Sequence, residues 1–169
     1  MAHFQGDERR QYVARMFTRI AGRYDLMNNV MPLGMHHRWR REAAELATRG
    51  VQGLALDVAA GTGDLTLALS AAGNVSGAVG LDLLPVMLQR ARGKARWRRN
   101  HQVHFVTGDA LNLPFADGTF ACAATAFGLR NMPSVPDALR EMVRVVRPGG
   151  AVVVLEIVPL DMRRPVDPL

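Results

Sequence analysis

One cysteine in 169 residues, Cys122, excludes a disulfide framework and any zinc site built from several thiolates. Long apolar runs are missing as well: no stretch approaches the roughly 20 residues that a bilayer-spanning helix needs. The first residues, Asp7 and Glu8 among them, lack the basic-then-apolar layout of a secretory signal, so the expected compartment is the cytoplasm. Internal repeats and low-complexity tracts are absent. What remains is ordinary globular composition, 49% hydrophobic and 21% charged. At this length a single compact unit buries roughly two-thirds of its unfolded surface and needs neither disulfide nor structural metal.

Acidic side chains are the scarcer charge, 15 against 21 basic, and their scarcity is local. Residues 51–85 hold three acidic side chains and no basic one, whereas residues 86–104 hold six basic and none acidic. The run Arg90 to Arg99 therefore accounts for the whole net charge of +6. Such a run reads most simply as a solvated helix face. Its other reading is attraction to phosphates, of nucleic acid or of an anionic membrane surface.

Periodicity predicts two N-terminal helices, Asp7 to Ile20 and about Met35 to Thr48, joined by a polar loop from Ala21 to Asn29. After Gly50 and Gly53 the pattern changes. Five short apolar runs follow: Leu54–Val58, Ala78–Leu81, Val103–Thr107, Phe120–Phe127 and Ala151–Val158. Continuous apolar runs of this length suit strands buried on both faces, and helical stretches at Leu65–Ala72, Pro85–Arg98 and Val135–Val146 separate them. The alternation predicts an α/β fold of Rossmann-like architecture, a central parallel sheet flanked by helices, with ligands bound at the carboxyl ends of the strands. Residues 1–50 form an N-terminal helical lid in this scheme, and residues 51–169 form the cofactor domain.

Strand one leads into Asp57-Val58-Ala59-Ala60-Gly61-Thr62-Gly63-Asp64. Gly61 and Gly63 allow a tight turn in which bare backbone approaches a ligand, and the amides opening the next helix meet an anionic group. A dinucleotide fingerprint would require glycine at Thr66, and no Gly-Lys-Ser/Thr sequence of a phosphate loop follows. Nineteen residues beyond Gly63, Asp82 ends strand two, a spacing that suits a carboxylate accepting from ribose hydroxyls. Gly108-Asp109-Ala110 ends strand three, where a carboxylate can receive the amine of adenine. Each element alone is an ordinary turn or cap; together, in this order, they resemble the class I S-adenosylmethionine-dependent methyltransferase pattern. The cofactor set is thus Asp57, Ala59, Gly61, Thr62, Gly63, Asp82, Leu83, Asp109, Ala110 and Ala126. No metal site is expected.

After strand four the chain reads Thr125-Ala126-Phe127-Gly128-Leu129-Arg130-Asn131. This lacks the Asn/Asp-Pro-Pro-aromatic run of enzymes that methylate base amines, and Cys122 sits mid-strand, unsuited to base C5-methylation; nucleic acid is therefore not expected as a partner. Across nearly its whole length the chain resembles the ubiquinone/menaquinone biosynthesis C-methyltransferases. The resemblance rests on Arg23-Tyr24-Asp25-Leu26-Met27-Asn28-Asn29, Trp39-Arg40-Arg41, the glycine turn, Leu113-Pro114-Phe115, Phe127 to Asn131, and Arg147-Pro148-Gly149-Gly150 leading to Leu155-Glu156. It implies methyl transfer from S-adenosylmethionine to a ring carbon of a polyprenyl quinol, with Thr62, Asp82, Asp109 and Ala110 at the cofactor. The chain departs from the pattern at Ala60, where glycine is usual, at Ala121, where aspartate is usual, and at Ala126, where some relatives carry serine.

A quinol carbon becomes nucleophilic when its neighbouring hydroxyl loses a proton, so a base or an anion stabiliser is required. Arg130, Asn131 and Tyr24 are the expected catalytic residues, with Arg130 stabilising the quinolate and Tyr24 or a held water relaying the proton. His36 and His37 are further candidate bases. The lid residues Phe4, Met16, Phe17, Met27, Met31, Met35 and Trp39 suit an isoprenoid tail, and the basic surplus suits transient contact with a membrane surface.

The resembling family continues past strand five with a helix and an antiparallel strand pair. Here only Pro159 to Leu169 follow, so the expectation is a shortened product that keeps the cofactor residues, turns over weakly and associates as a homodimer through its open edge. The competing readings are another small-molecule or nucleic-acid methyltransferase sharing the cofactor domain, and a cofactor-binding module with little turnover. Whether the ring is a naphthoquinol or a benzoquinol stays open.

Overall fold

The structure, a computed structural model, describes residues 35–72 and 75–157. The helix expected over residues 7–20, the catalytic candidate Tyr24 and the segment from Pro159 to Leu169 lie outside the described residues. Helix α1 spans Met35–Thr48, the bounds that periodicity predicts. Strand β1 (Leu54–Val58) follows, then helix α2 (Asp64–Ala71), strand β2 (Gly77–Asp82), helix α3 (Pro85–Trp97) and strand β3 (Val103–Thr107). Strand β4 (Phe120–Ala126), helix α4 (Val135–Val145) and strand β5 (Val146–Leu155) complete the order.

The five strands form one parallel sheet in the order β3-β2-β1-β4-β5. The chain builds outward from β1 to β3, then crosses back to place β4 on the other side of β1. That reversal opens a crevice above the carboxyl ends of β1 and β4.

Alternation along the strands sorts the core into two layers. Ala55, Ala78, Cys122 and Ala124 pack on one face against Ala43, Ala44 and Ala47 of α1 and Leu65 and Leu69 of α2. Leu56, Val58 and Ala123 pack on the other face against Ala138, Met142 and Val145 of α4. Small side chains on the first face let two helices lie close to the sheet. Cys122 is fully buried there, and burial pushes its thiol up to about 11, which leaves it inert at neutral pH.

Several boundaries shift by a residue and β5 ends at Leu155 rather than Val158; two of the shifts have a visible cause. Strand β5 starts at Val146 rather than Ala151, because Val146 already pairs with Phe120; Arg147 to Gly150 then bulge out before Ala151 takes up register with Cys122. Strand β4 stops at Ala126: the Phe127 N–H still donates to the Leu155 carbonyl at 2.8 Å, but its φ of +60° turns the chain away from the sheet. Arg144 of α4 staples the loop beyond β3 by donating to the carbonyls of Phe115 and Leu113 and to the carboxylates of Asp117 and Glu141.

Candidate functional site

The crevice is walled by the turns after β1, β2, β3 and β4. After β1 the backbone turns with Ala59 at φ +59° and Gly61 at +54°, and Gly63 caps α2 at +83°. Gly63 is tied to its place twice over. Its conformation disfavours any side chain, and a Cβ there would stand 2.8 Å from the Cβ of Ala91 on α3. Thr66 fills the third-glycine position of a dinucleotide fingerprint and donates to the Asp57 carboxylate at 2.6 Å.

Asp82 closes β2 and joins two turns. Its Oδ2 accepts the N–H of Gly61 at 2.8 Å and its Oδ1 accepts that of Leu84 at 2.9 Å. Burial raises its pKa against the opposing pull of these amides. Each oxygen keeps a second lone pair, and the side chain lines the crevice. Beyond it Leu83, Leu84 and Met87 offer an apolar wall of the kind that accepts a flat ring. After β3, Asp109 accepts the N–H of Leu111 at 3.0 Å, which fixes the turn carrying Ala110 into the lining.

After β4, Gly128 packs so close to Ala59 that a Cβ would stand 2.8 Å from the alanine methyl. A short 3₁₀ turn, Leu129–Asn131, then carries Asn131 into the lining and turns Arg130 toward Glu156 beyond β5. Arg130 Nη1 lies 3.5 Å from Glu156 Oε1, and the Arg130 N–H donates to Oε2 at 3.3 Å. The chain segments after β4 and β5 are thereby joined.

Of the predicted cofactor residues the crevice gathers Ala59, Gly61, Asp82, Leu83, Asp109, Ala110 and Ala126, together with the catalytic candidate Asn131. Asp57, Thr62, Gly63 and Arg130 do not line it. Thr62 is buried and accepts from Lys94 Nζ at 2.9 Å, and the same ammonium pairs with Asp64 at 2.9 Å. Lys94 therefore leaves the basic run of α3 and braces the turn. The spacing of that run hid this role, since only the buried neighbours Ala91 and Ala95 set the face on which Lys94 lies. The glycine amides also differ from expectation. Gly61 donates to Asp82 and Gly63 to the carbonyl of Ala60 at 2.9 Å, so neither is left to meet an anion. Sequence reasoning also missed Met87, Leu111 and Met132 in the lining, which carry only the apolar signal of core residues.

Asp57 is fully buried, and its carboxyl is pushed up to about 7 by burial, with the nearby Asp82 charge adding; the Thr66 hydroxyl and the Arg40 charge pull the other way. Because the folded-state value lies above the unfolded one, this group's contribution to stability is full below about pH 4 and is lost as pH rises toward 7. Asp57→Asn keeps an acceptor for Thr66 and cannot ionise. The difference in denaturation midpoint between Asp57→Asn and the unsubstituted chain is expected to shift in the variant's favour as pH rises from 4 to 8. A difference independent of pH contradicts a buried carboxyl that titrates.

A family model described as the ubiE/COQ5 methyltransferase family matches residues 5–164. The chain is similar to the demethylmenaquinone methyltransferase of Thermus thermophilus, 46% identical over 144 residues that cover 85% of this chain and 65% of that protein. It is also similar to the ubiquinone/menaquinone biosynthesis C-methyltransferase UbiE of Hahella chejuensis, 42% identical over 88% of this chain and 61% of that one. The chain thus spans a little under two-thirds of the length of these relatives. Among solved structures it superposes on the YcgJ protein from Bacillus subtilis with a TM-score of 0.66 and 27% identity, over 71% of this chain and 50% of that one.

Proposed function

The chain belongs to the ubiE/COQ5 methyltransferase family, and from that premise we propose that it transfers the methyl group of S-adenosylmethionine to a ring carbon of a polyprenyl quinol, converting demethylmenaquinol to menaquinol. The observation that carries the cofactor half of this reading is Asp82. Its two oxygens are each held by one backbone amide and face the crevice with lone pairs to spare, which fits the two hydroxyls of a ribose. Leu83, Leu84 and Met87 fit the adenine ring, and Asp109 and Ala110 fit its polar edge. The names of the relatives support the quinol half.

When bound, the cofactor supplies a methyl carbon activated by a sulfonium; the chain's residues supply alignment and charge. The turns after β1 and β4, locked by the contact of Gly128 with Ala59, set the distance between cofactor and substrate. Asn131 lines the crevice and offers a hydrogen bond to a substrate hydroxyl. Arg130, one residue away and half exposed beside Glu156, is the cation assigned to the developing quinolate, and Tyr24 is assigned to relay its proton. His36 is buried with its pKa lowered, first by burial and then by the charges of His37 and Arg40, and so stands neutral at pH 7 in the form a base requires.

The test offers the protein labelled S-adenosylmethionine with demethylated naphthoquinol and benzoquinol, each carrying a polyprenyl tail. Label is expected in the naphthoquinol product. Cofactor binding without label in either quinol refutes the substrate half. Arg130→Ala is expected to lower turnover at least tenfold while cofactor affinity changes less than threefold; equal losses in both would withdraw Arg130 from the chemistry.

Among the described residues no helix is long and apolar enough to cross a membrane. A lipid substrate asks for a visit to one, and the reading includes transient contact with the inner face of the cell membrane. Arg90, Arg96, Arg98 and Arg99 are exposed on and just beyond α3, beside Trp97 at 84% exposure, and suit anionic headgroups. Pairing of two copies along β5, which has a neighbouring strand on one side only among the described residues, is the homodimer the reading allows.

A further inference from the structure

Helix α1 buries one stripe, His36, Arg40, Ala43, Ala44, Ala47 and Thr48, and the stripe changes character along its length. Its later part is alanine against the sheet. Its first turns, level with the strand tips, are polar, with the neutral His36 and the cationic Arg40. Arg40 is only 7% exposed, yet its Nη1 has no hydrogen-bond partner. Its guanidinium lies over the Phe127 ring, 5.1 Å from the centroid, and borders the groove between α1 and α2 beside Asp64.

Among the described residues three buried side-chain atoms lack a partner: His36 Nδ1, Arg40 Nη1 and Thr125 Oγ1. They surround the strand tips. His36 is one turn from Arg40 and feels the charges of Arg40 and Asp64. Thr125 Oγ1 lies 3.2 Å from the point where a Gly128 Cβ would stand, beside Ala59. Buried polar atoms are satisfied in the great majority of cases, so the unpartnered Nη1 of Arg40, at the edge of a groove and over the crevice-lining ring of Phe127, points to a polar group of a ligand.

We propose that Arg40 is the receptor for the α-carboxylate at the methionyl end of S-adenosylmethionine. This rests on the cofactor reading above and adds to it the residue that holds the cofactor's charged end. The two glycine amides of the turn are not its donors, since those of Gly61 and Gly63 are bonded to Asp82 and Ala60. A guanidinium presents paired N–H groups that match a carboxylate, and stacking on Phe127 leaves its edge to the ligand.

The experiment titrates S-adenosylmethionine and its decarboxylated analogue into the unsubstituted chain, Arg40→Gln and Arg40→Lys by calorimetry, with unfolding of each protein measured without ligand. The unsubstituted chain is expected to bind the decarboxylated analogue at least tenfold more weakly. Arg40→Gln should bind S-adenosylmethionine at least tenfold more weakly and lose the discrimination, with Arg40→Lys between. The proposal is overturned if the unsubstituted chain does not discriminate, or if Arg40→Gln weakens both ligands by one common factor or weakens neither. If Arg40→Gln does not fold, the unsubstituted chain and Arg40→Lys decide by the same comparison. Binding of neither ligand to the unsubstituted chain overturns the cofactor reading as well, whereas binding without discrimination overturns Arg40 alone.

Discussion

Gly63→Ala is expected to lower the stability of the fold by about 2–5 kcal/mol, the sum of a left-handed backbone forced on an L-residue and an overlap inside a packed contact. The first part comes from the φ of +83° at the start of α2. The second comes from the 2.8 Å that would separate the new methyl from the Cβ of Ala91, with the Phe105 ring at 3.1 Å behind it. Ala91 is fully buried on α3 and has nowhere to retreat. Urea denaturation checks the size, as a shift in midpoint with little change in slope. A companion Ala91→Gly should recover part of the loss despite its own helix penalty of about 1 kcal/mol, because it removes the overlap and leaves the backbone strain. A loss under about 1 kcal/mol for Gly63→Ala would mean that the turn relaxes and that this glycine does not lock α2 against α3.

That contact shows what the sequence made legible. Gly61, Gly63, Asp82 and Asp109 were readable because each joins a residue type of restricted use to a strand end, and strand ends follow from apolar runs. The parallel order followed from the same alternation. Side-chain direction on a helix was harder to read. Lys94 looked like one more member of a basic run, and only the packing of Ala91 and Ala95 against the interior shows that it points at Thr62 and Asp64. Arg40 looked like part of a family signature with no role of its own; its burial depends on α1 crossing the strand tips, a tertiary fact that no local pattern encodes. The bulge at Arg147 to Gly150 was hidden for a similar reason, since Val146 joins the sheet through its pairing with Phe120, far away in sequence.

Asp82→Ala is expected to weaken S-adenosylmethionine binding about a hundredfold, or roughly 3 kcal/mol, because it removes a charged acceptor whose bonds are worth roughly 1.5–3 kcal/mol each. The carboxylate does two things at once in this structure. It holds the turns after β1 and β2 together through Gly61 and Leu84, and it presents its remaining lone pairs to the crevice. Asp82→Asn separates the two, since its amide oxygen can still accept one backbone N–H while its nitrogen can accept none. Its loss of affinity should therefore fall between those of the unsubstituted chain and Asp82→Ala. Acid should act in the same direction. Burial raises the Asp82 pKa, so protonation on lowering the pH begins earlier than for an exposed aspartate and removes the charge that the ribose hydroxyls need, weakening binding in the unsubstituted chain and not in Asp82→Asn. Calorimetric titration across pH measures each of these. Unchanged affinity in Asp82→Ala would show that the ribose lies elsewhere, and with it the assignment of Leu83, Leu84 and Met87 to the adenine wall would be lost.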